Sequence, residues 1–251
     1  IEMLEKSGMD YTGTRLSIDA PTYLVKDFNE TKIAFLAYTY GTNSSDNGVM
    51  VPAGKEYLVN LTRPQEPKYH RPLWKRVAGR LLSLVRKPKS SSGIVGDCVS
   101  QAEIANGRNK AYEQRMLDTI REAKQKADIV IMCLHSGGQF NSKVEGYTQH
   151  LFDIIADAGT DAIVCNHAHT TLPIYQRGNC LIASALGNFS FAPGEGYWVD
   201  GVKADYSALL TLDIVDQKIA GHKVDICKCV RNENGLAITV LAYNEQEIVT
   251  I

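Results

Sequence analysis

No run of apolar residues in this chain approaches the ~20 that a membrane-spanning helix needs. The longest, such as Ile129–Leu134, have strand length. Transmembrane helices are therefore not expected. Neither sign of charge is in excess: 27 Lys and Arg stand against 28 Asp and Glu, a formal net charge of -1. A general nucleic-acid binder would show a basic surplus, so that class is disfavoured. A Gly-rich phosphate loop and interleaved aromatics are also missing, which points the same way. No Cys-x-x-Cys pair exists among the six cysteines, which argues against a structural zinc knuckle and against a dense disulfide scaffold. Cys133, Cys165 and Cys180 lie in or beside apolar strands and are expected to be buried thiols. Cys227 and Cys229 alternate on one strand, as free thiols or as part of a metal site. No repeat of fixed period is present.

The composition, 44% hydrophobic and 22% charged over 251 residues, is that of a folded globular chain. Residues 1–20 read as the end of a helix and a turn, with Gly8 and Gly13 as breakers. Strands are predicted at Tyr23–Phe28 and Lys32–Tyr40 around a hairpin turn at Asn29–Thr31. A helix is predicted over about Asn109–Lys126, then a strand at Ile129–Leu134 and a helix at Tyr147–Ala158. Further strands follow at Ala162–Cys165, Leu181–Ser184, Ser207–Val215, Ile219–Val230 and Leu236–Tyr243. Residues 67–96 differ from the rest: eight basic side chains and no acid. Leu73, Val77, Leu81 and Leu84 recur there at helical spacing. We read about 61–97 as a basic insertion in a single domain spanning 1–251. Its helix, 72–87, would either lie on an anionic membrane surface or present a solvated basic face.

The segment 129–169 reads strand, helix, strand. Both strands are apolar throughout, as in a parallel sheet buried on both faces. Parallel neighbours open their carboxyl ends on one edge, where α/β sheets place ligands. His135 follows the first strand, and His167 and His169 follow the second. In an extended His167-Ala168-His169 both imidazoles would point the same way. Imidazole is a ligand for zinc, manganese or iron. Three together at strand ends predict a metal site, with Gly137 letting the chain turn tightly beside it. His70, His150 and His222 have no such setting and are read as solvated or structural, and Glu195 and Asp200 have no spacing that demands a role.

These residues resemble a family. The stretch Ala127–Gly138 resembles the histidine-glycine motif of the capsule-synthesis protein CapA family, the poly-γ-glutamate synthesis proteins. Ala158–His169 resembles its double-histidine motif, and Ser184–Phe189 its Ser-Leu-Gly-Asn-Phe signature. Lys32–Asn43 is similar to its early strand. The family belongs to the calcineurin-like metallophosphoesterases, so the resemblance implies an α/β fold of four layers, an α-β-β-α sandwich. It implies a metal-dependent hydrolase of capsule or poly-γ-glutamate metabolism, bacterial and at the outer face of the cell envelope. It assigns His135, His167 and His169 as metal ligands and places Asn166, Asn188 and Gly137 near the site. Two divalent cations would be bound in the complete protein, as manganese, zinc or iron. No catalytic residue is assigned within this chain.

The chain departs from the family at Ser136, where a Trp is usual, and at Asn166, where a further His is frequent. The family's opening Gly-Asp and Asn-Asn-His motifs are expected upstream of Ile1, so this chain would lack the N-terminal portion of the fold. Gly96-Asp97 copies the Gly-Asp out of order. The expected partners are an anionic polymer or phosphoester, with Lys75, Arg76, Arg80 and Arg86 contacting polyanion or membrane, and no nucleic acid. The alternative function is a non-catalytic envelope component that binds or exports an anionic polymer.

Overall fold

Continuous apolar strands need cover on both faces, and the two amphipathic helices supply it on one. The computed structural model describes residues 1–42, 44, 48–65, 107–144, 146–189, 204–232 and 235–240. After a short helix α1 (Glu2–Lys6), β1 (Leu24–Phe28) and β2 (Thr31–Thr39) form an antiparallel hairpin. Its turn residues Asn29 and Glu30 both have positive φ, 49° and 69°. That is the primed turn whose twist matches the strands. Helix α2 (Lys110–Lys126) leads to β3 (Ile129–His135), and α3 (Gly146–Asp157) crosses over to β4 (Ala162–Asn166). β5 (Thr171–Arg177) and β6 (Cys180–Leu186) complete a six-stranded sheet of order β1-β2-β3-β4-β6-β5. Its inner pairs, β2–β3, β3–β4 and β4–β6, are parallel, and the outer pairs are antiparallel. The outer strand β5 is not among the predicted strands.

Alternation along the strands separates two cores. Ala34, Leu36, Val130, Met132, Leu134, Ile163 and Ile182 face the helices and pack on Met116, Ile120, Leu151, Phe152 and Ile155. Ile33, Ile129, Ile131, Ala162 and Leu181 face the other way. They meet Leu210, Leu212 and Ile219 of a second, antiparallel sheet made of β7 (Tyr206–Val215), β8 (Lys218–Asn232) and β9 (Gly235–Val240). The described residues thus form a mixed α/β fold of three layers: helices, the six-stranded sheet and the three-stranded sheet. The fourth layer of the expected sandwich has no counterpart among them. Along β7 the outward positions Leu209, Thr211 and Asp213 are exposed. Among the described residues no helix is long and apolar enough to cross a membrane.

One expectation is corrected here. Cys165 and Cys180 are buried, but Cys133 is exposed. Residue 133 lies on the face of β3 that the second sheet covers only as far as Ile131. The basic insertion, with Lys75, Arg76, Arg80 and Arg86, lies outside the described residues, as do His70, Gly96, Asp97, Glu195 and Asp200.

Candidate metal centre

Parallel pairing places Thr39 opposite His135 and His135 opposite Asn166. Three strands therefore end in register, and the residues that follow them share one edge. The His135 and His167 rings have centroids 4.6 Å apart at 66°, and His167 and His169 6.1 Å apart at 46°. The double-histidine segment is not extended as expected. β4 stops at Asn166, and His167 and His169 take positive φ, 129° and 55°. Ala168 between them is buried against Leu172 and Ala185, and its carbonyl accepts a hydrogen bond from the Phe140 amide (2.7 Å). Burial of the central alanine, rather than strand pleat, sets where the two imidazoles lie. Such backbone conformations are uncommon for residues with a Cβ and persist only where the surroundings enforce them.

Burial first, and then the nearby His169, hold the His135 ring below the usual histidine range. His167 is lowered further, to about 4, by burial first and then by His135 and His169. Both rings are therefore neutral near pH 7 and carry a lone pair. His135 is exposed on the cleft, yet neighbouring atoms strip part of its hydration. Cys133 is in the same position: it is exposed, but crowding raises its thiol pKa. Both lie on an open cleft of about 420 Å³ with Asn166, Ala37, Val164 and Thr12.

The third ring has a determined tautomer. Asn188 Nδ2 donates to the carbonyls of His169 (3.2 Å) and Ala204 (3.1 Å), which orients its amide. Its Oδ1 then faces His169 Nδ1 at 2.8 Å and must accept from it. In its neutral form the ring then carries its proton on Nδ1 and its lone pair on Nε2, the outer-shell arrangement usual for metal-bound histidine. Phe140 stacks on the same ring at 5.4 Å. Gly137 sits on the loop after β3 with φ 120°, a conformation that favours glycine.

Two residues of the site were not among the candidates. Tyr40 stands just past β2, its hydroxyl 3.2 Å from His167 Nε2. Arg63 Nε donates to the Tyr40 carbonyl (3.2 Å), and its guanidinium carbon lies 5.7 Å from the Tyr40 ring centroid. The position of Tyr40 at a parallel-strand end was a usable signal. Arg63 had none, because its place depends on the long-range pairing of Thr39 with Leu61.

Imidazole is a residue type that a cation takes. Two imidazoles sharing one ion at ~2.0–2.1 Å per nitrogen place their centroids about 4.5–6.4 Å apart. Among the described residues, no group of three or more His, Cys, Asp or Glu side chains is placed so that it could hold a metal ion. Coordination would require the rings to turn about their side-chain torsions. His150 lies apart, against Tyr147 and 3.3 Å from Glu113, and His222 is exposed on β8.

Comparison with known proteins adds a family to this geometry. The family model described as bacterial capsule synthesis protein (PGA_cap) matches residues 1–193. No curated protein matches. A solved structure of a hypothetical protein from Thermus thermophilus is similar at 8% identity and a TM-score of 0.37, covering 88% of this chain. The chain spans 62% of the length of that protein.

Proposed function

Because the chain belongs to the bacterial capsule synthesis protein family, we propose that it is a metal-dependent hydrolase of the metallophosphoesterase type, acting in capsule or poly-γ-glutamate metabolism at the outer face of the bacterial envelope. The observation that carries this reading is the meeting of three imidazoles at one edge of the parallel strands. His135, His167 and His169 would hold the cation, with two cations in the complete protein. Its four-layer form is part of the proposal, as is a single domain carrying the basic insertion. When bound, a divalent cation supplies Lewis-acid polarisation of a phosphoryl or carbonyl oxygen and lowers the pKa of water.

The chain's own residues do the rest. Burial keeps the His135 and His167 rings unprotonated at neutral pH, so protons compete weakly for their lone pairs. Asn188 orients His169 through its Nδ1–H, and Gly137 lets the loop turn close to the rings. Asn166 and His135 border the open cleft, where a substrate could approach from the strand ends. The substrate would be an anionic polymer or a phosphoester.

The test is metal content together with turnover of p-nitrophenyl phosphate and its bis-ester. We expect bound divalent metal and turnover, with His167→Ala losing at least ~100-fold of the rate, since general losses of a metal ligand exceed those of its outer-shell partners. Metal-free protein that leaves both esters intact would overturn the reading. The basic run at 67–96 favours one rival, a non-catalytic component that binds an anionic polymer. Co-sedimentation with polyglutamate by such metal-free protein would select it.

A further inference from the structure

We propose that the cleft between α2 and residues 54–61 is an oxyanion site: Arg15, Arg115 and the Tyr38 hydroxyl converge on it to take the carboxylate or phosphate of a small organic ligand. None of the strand-end histidines lines this cleft. It lies where Tyr38 packs on the helix side of the six-stranded sheet.

The cleft has a volume of about 450 Å³, within the range of small-molecule sites. Tyr38, Tyr57 and Tyr112 give it an aromatic lining, and Arg15 and Arg115 give it positive charge. Hydrogen bonds fix its frame. Arg15 donates through Nε to the Tyr57 carbonyl (2.8 Å) and through Nη1 to the Ala20 carbonyl (3.1 Å). Asn60, buried in the wall, donates to the carbonyls of Thr22 (2.9 Å) and Ala37 (3.1 Å). The Arg115 guanidinium lies over the Tyr112 ring, 4.4 Å from its centroid. Groups held in this way lose little freedom when a ligand arrives.

The balance of charge points to an anion. Among the described residues neither guanidinium has a carboxylate within ion-pair distance. The two acids of the lining are engaged elsewhere. Asp118 accepts from Gln114 (2.8 Å) and pairs with Arg121 (2.8 Å). Glu56 accepts from the Gly54 amide (3.0 Å). Its own amide first, and then that of Gly54, hold it below the usual carboxylate range, with Arg115 the last of the influences. Tyr38 is only 7% exposed. Burial pushes its hydroxyl above the usual range, against the pull of Thr119, Arg15 and Arg115, so it is a donor at neutral pH. Two guanidiniums and a phenol thus face one cleft as donors, and the guanidinium fork matches carboxylate and phosphate oxygens.

The experiment titrates inorganic phosphate into the full 251-residue chain at constant ionic strength and follows assigned 1H–15N signals. Chelator is present, so the outcome is independent of the metal reading. The Arg15 Nε–H and the amides of Gly54 and Thr119 should shift together and saturate in the millimolar range expected of a bare anion. Acetate is titrated in parallel: tighter phosphate selects a phosphate-bearing ligand, and tighter acetate a carboxylate-bearing one. Arg115→Gln changes an exposed helix position, and Tyr38→Phe keeps the buried ring, so both thermal midpoints should stay close to that of the parent. Both variants should bind more weakly at these signals, Arg115→Gln by about 10-fold or more, the loss of one hydrogen bond between charged groups. Signals that stay still under both anions, or that drift equally with chloride, would overturn the proposal. Parent affinity in either variant would overturn it too. Phosphate drawn to the basic residues 67–96 does not count as success, because the signals belong to this cleft.

Discussion

Cys133 and Cys180 lie on the same sheet and differ in what surrounds them. Cys180 is buried, and burial, followed by the charge of Asp161, pushes its thiol up to about 12. Cys133 is also raised by crowding, yet its sulfur reaches the cleft beside His135. Alkylation needs both thiolate and access, and access separates these two. Iodoacetamide at neutral pH should therefore label Cys133 before Cys165, Cys180, Cys227 or Cys229. Peptide mass spectrometry over a time course reads the order. Labelling of Cys180 first would show that the sheet opens at β6 more readily than this packing allows.

Among the elements, the joint between the two sheets is narrow. Gly187, just after β6, bridges Ser207 of β7 and brings Asn188 to His169. Its φ is 75°, and a Cβ there would lie 2.5 Å from the Tyr206 carbonyl oxygen and 3.1 Å from Ser207 Cα. Both are backbone atoms, so neither can rotate away. Gly178 has a similar φ of 57°, with nothing within 4 Å of an added Cβ. Alanine at either site incurs the left-handed backbone cost of about 1–3 kcal/mol. Gly187→Ala should also displace β7 and loosen the Asn188–His169 hydrogen bond. Urea unfolding should show a clearly larger loss for Gly187→Ala than for Gly178→Ala. Equal losses would mean that the sheet joint yields without cost.

At the scale of the whole molecule, charge is segregated. Residues 67–96 are basic while the chain as a whole is nearly neutral, so the remainder is acidic. Surface charges contribute little to stability, and such separation is better suited to attracting an anionic partner in a salt-dependent way. Changing Lys75, Arg76, Arg80 and Arg86 together to Gln should abolish low-salt co-sedimentation with polyglutamate or anionic vesicles. The thermal midpoint should move little. Binding equal to that of the parent would leave the segment as a solvated basic face.

The strand–helix–strand run at 129–166 was legible because its apolar residues follow the periods of buried strands and an amphipathic helix. That pattern alone carried His135 and His167 to one edge, since parallel strands share their carboxyl ends. The turn at Asn29-Glu30 was equally local, being fixed by backbone conformation within two residues. β5 was missed because Pro173 and the polar Gln176 and Arg177 interrupt its apolar pattern, and only its pairing with β6 makes it a strand. The extended reading of His167–His169 failed for a related reason. Burial of Ala168 against Leu172 and Ala185 outweighs the local preference for an extended chain. The contact of Tyr40 with His167, the place of Arg63 and the pairing of Asn188 with His169 were decided by tertiary structure alone. Each depends on a contact between residues at least 19 positions apart in the chain, which no local period encodes.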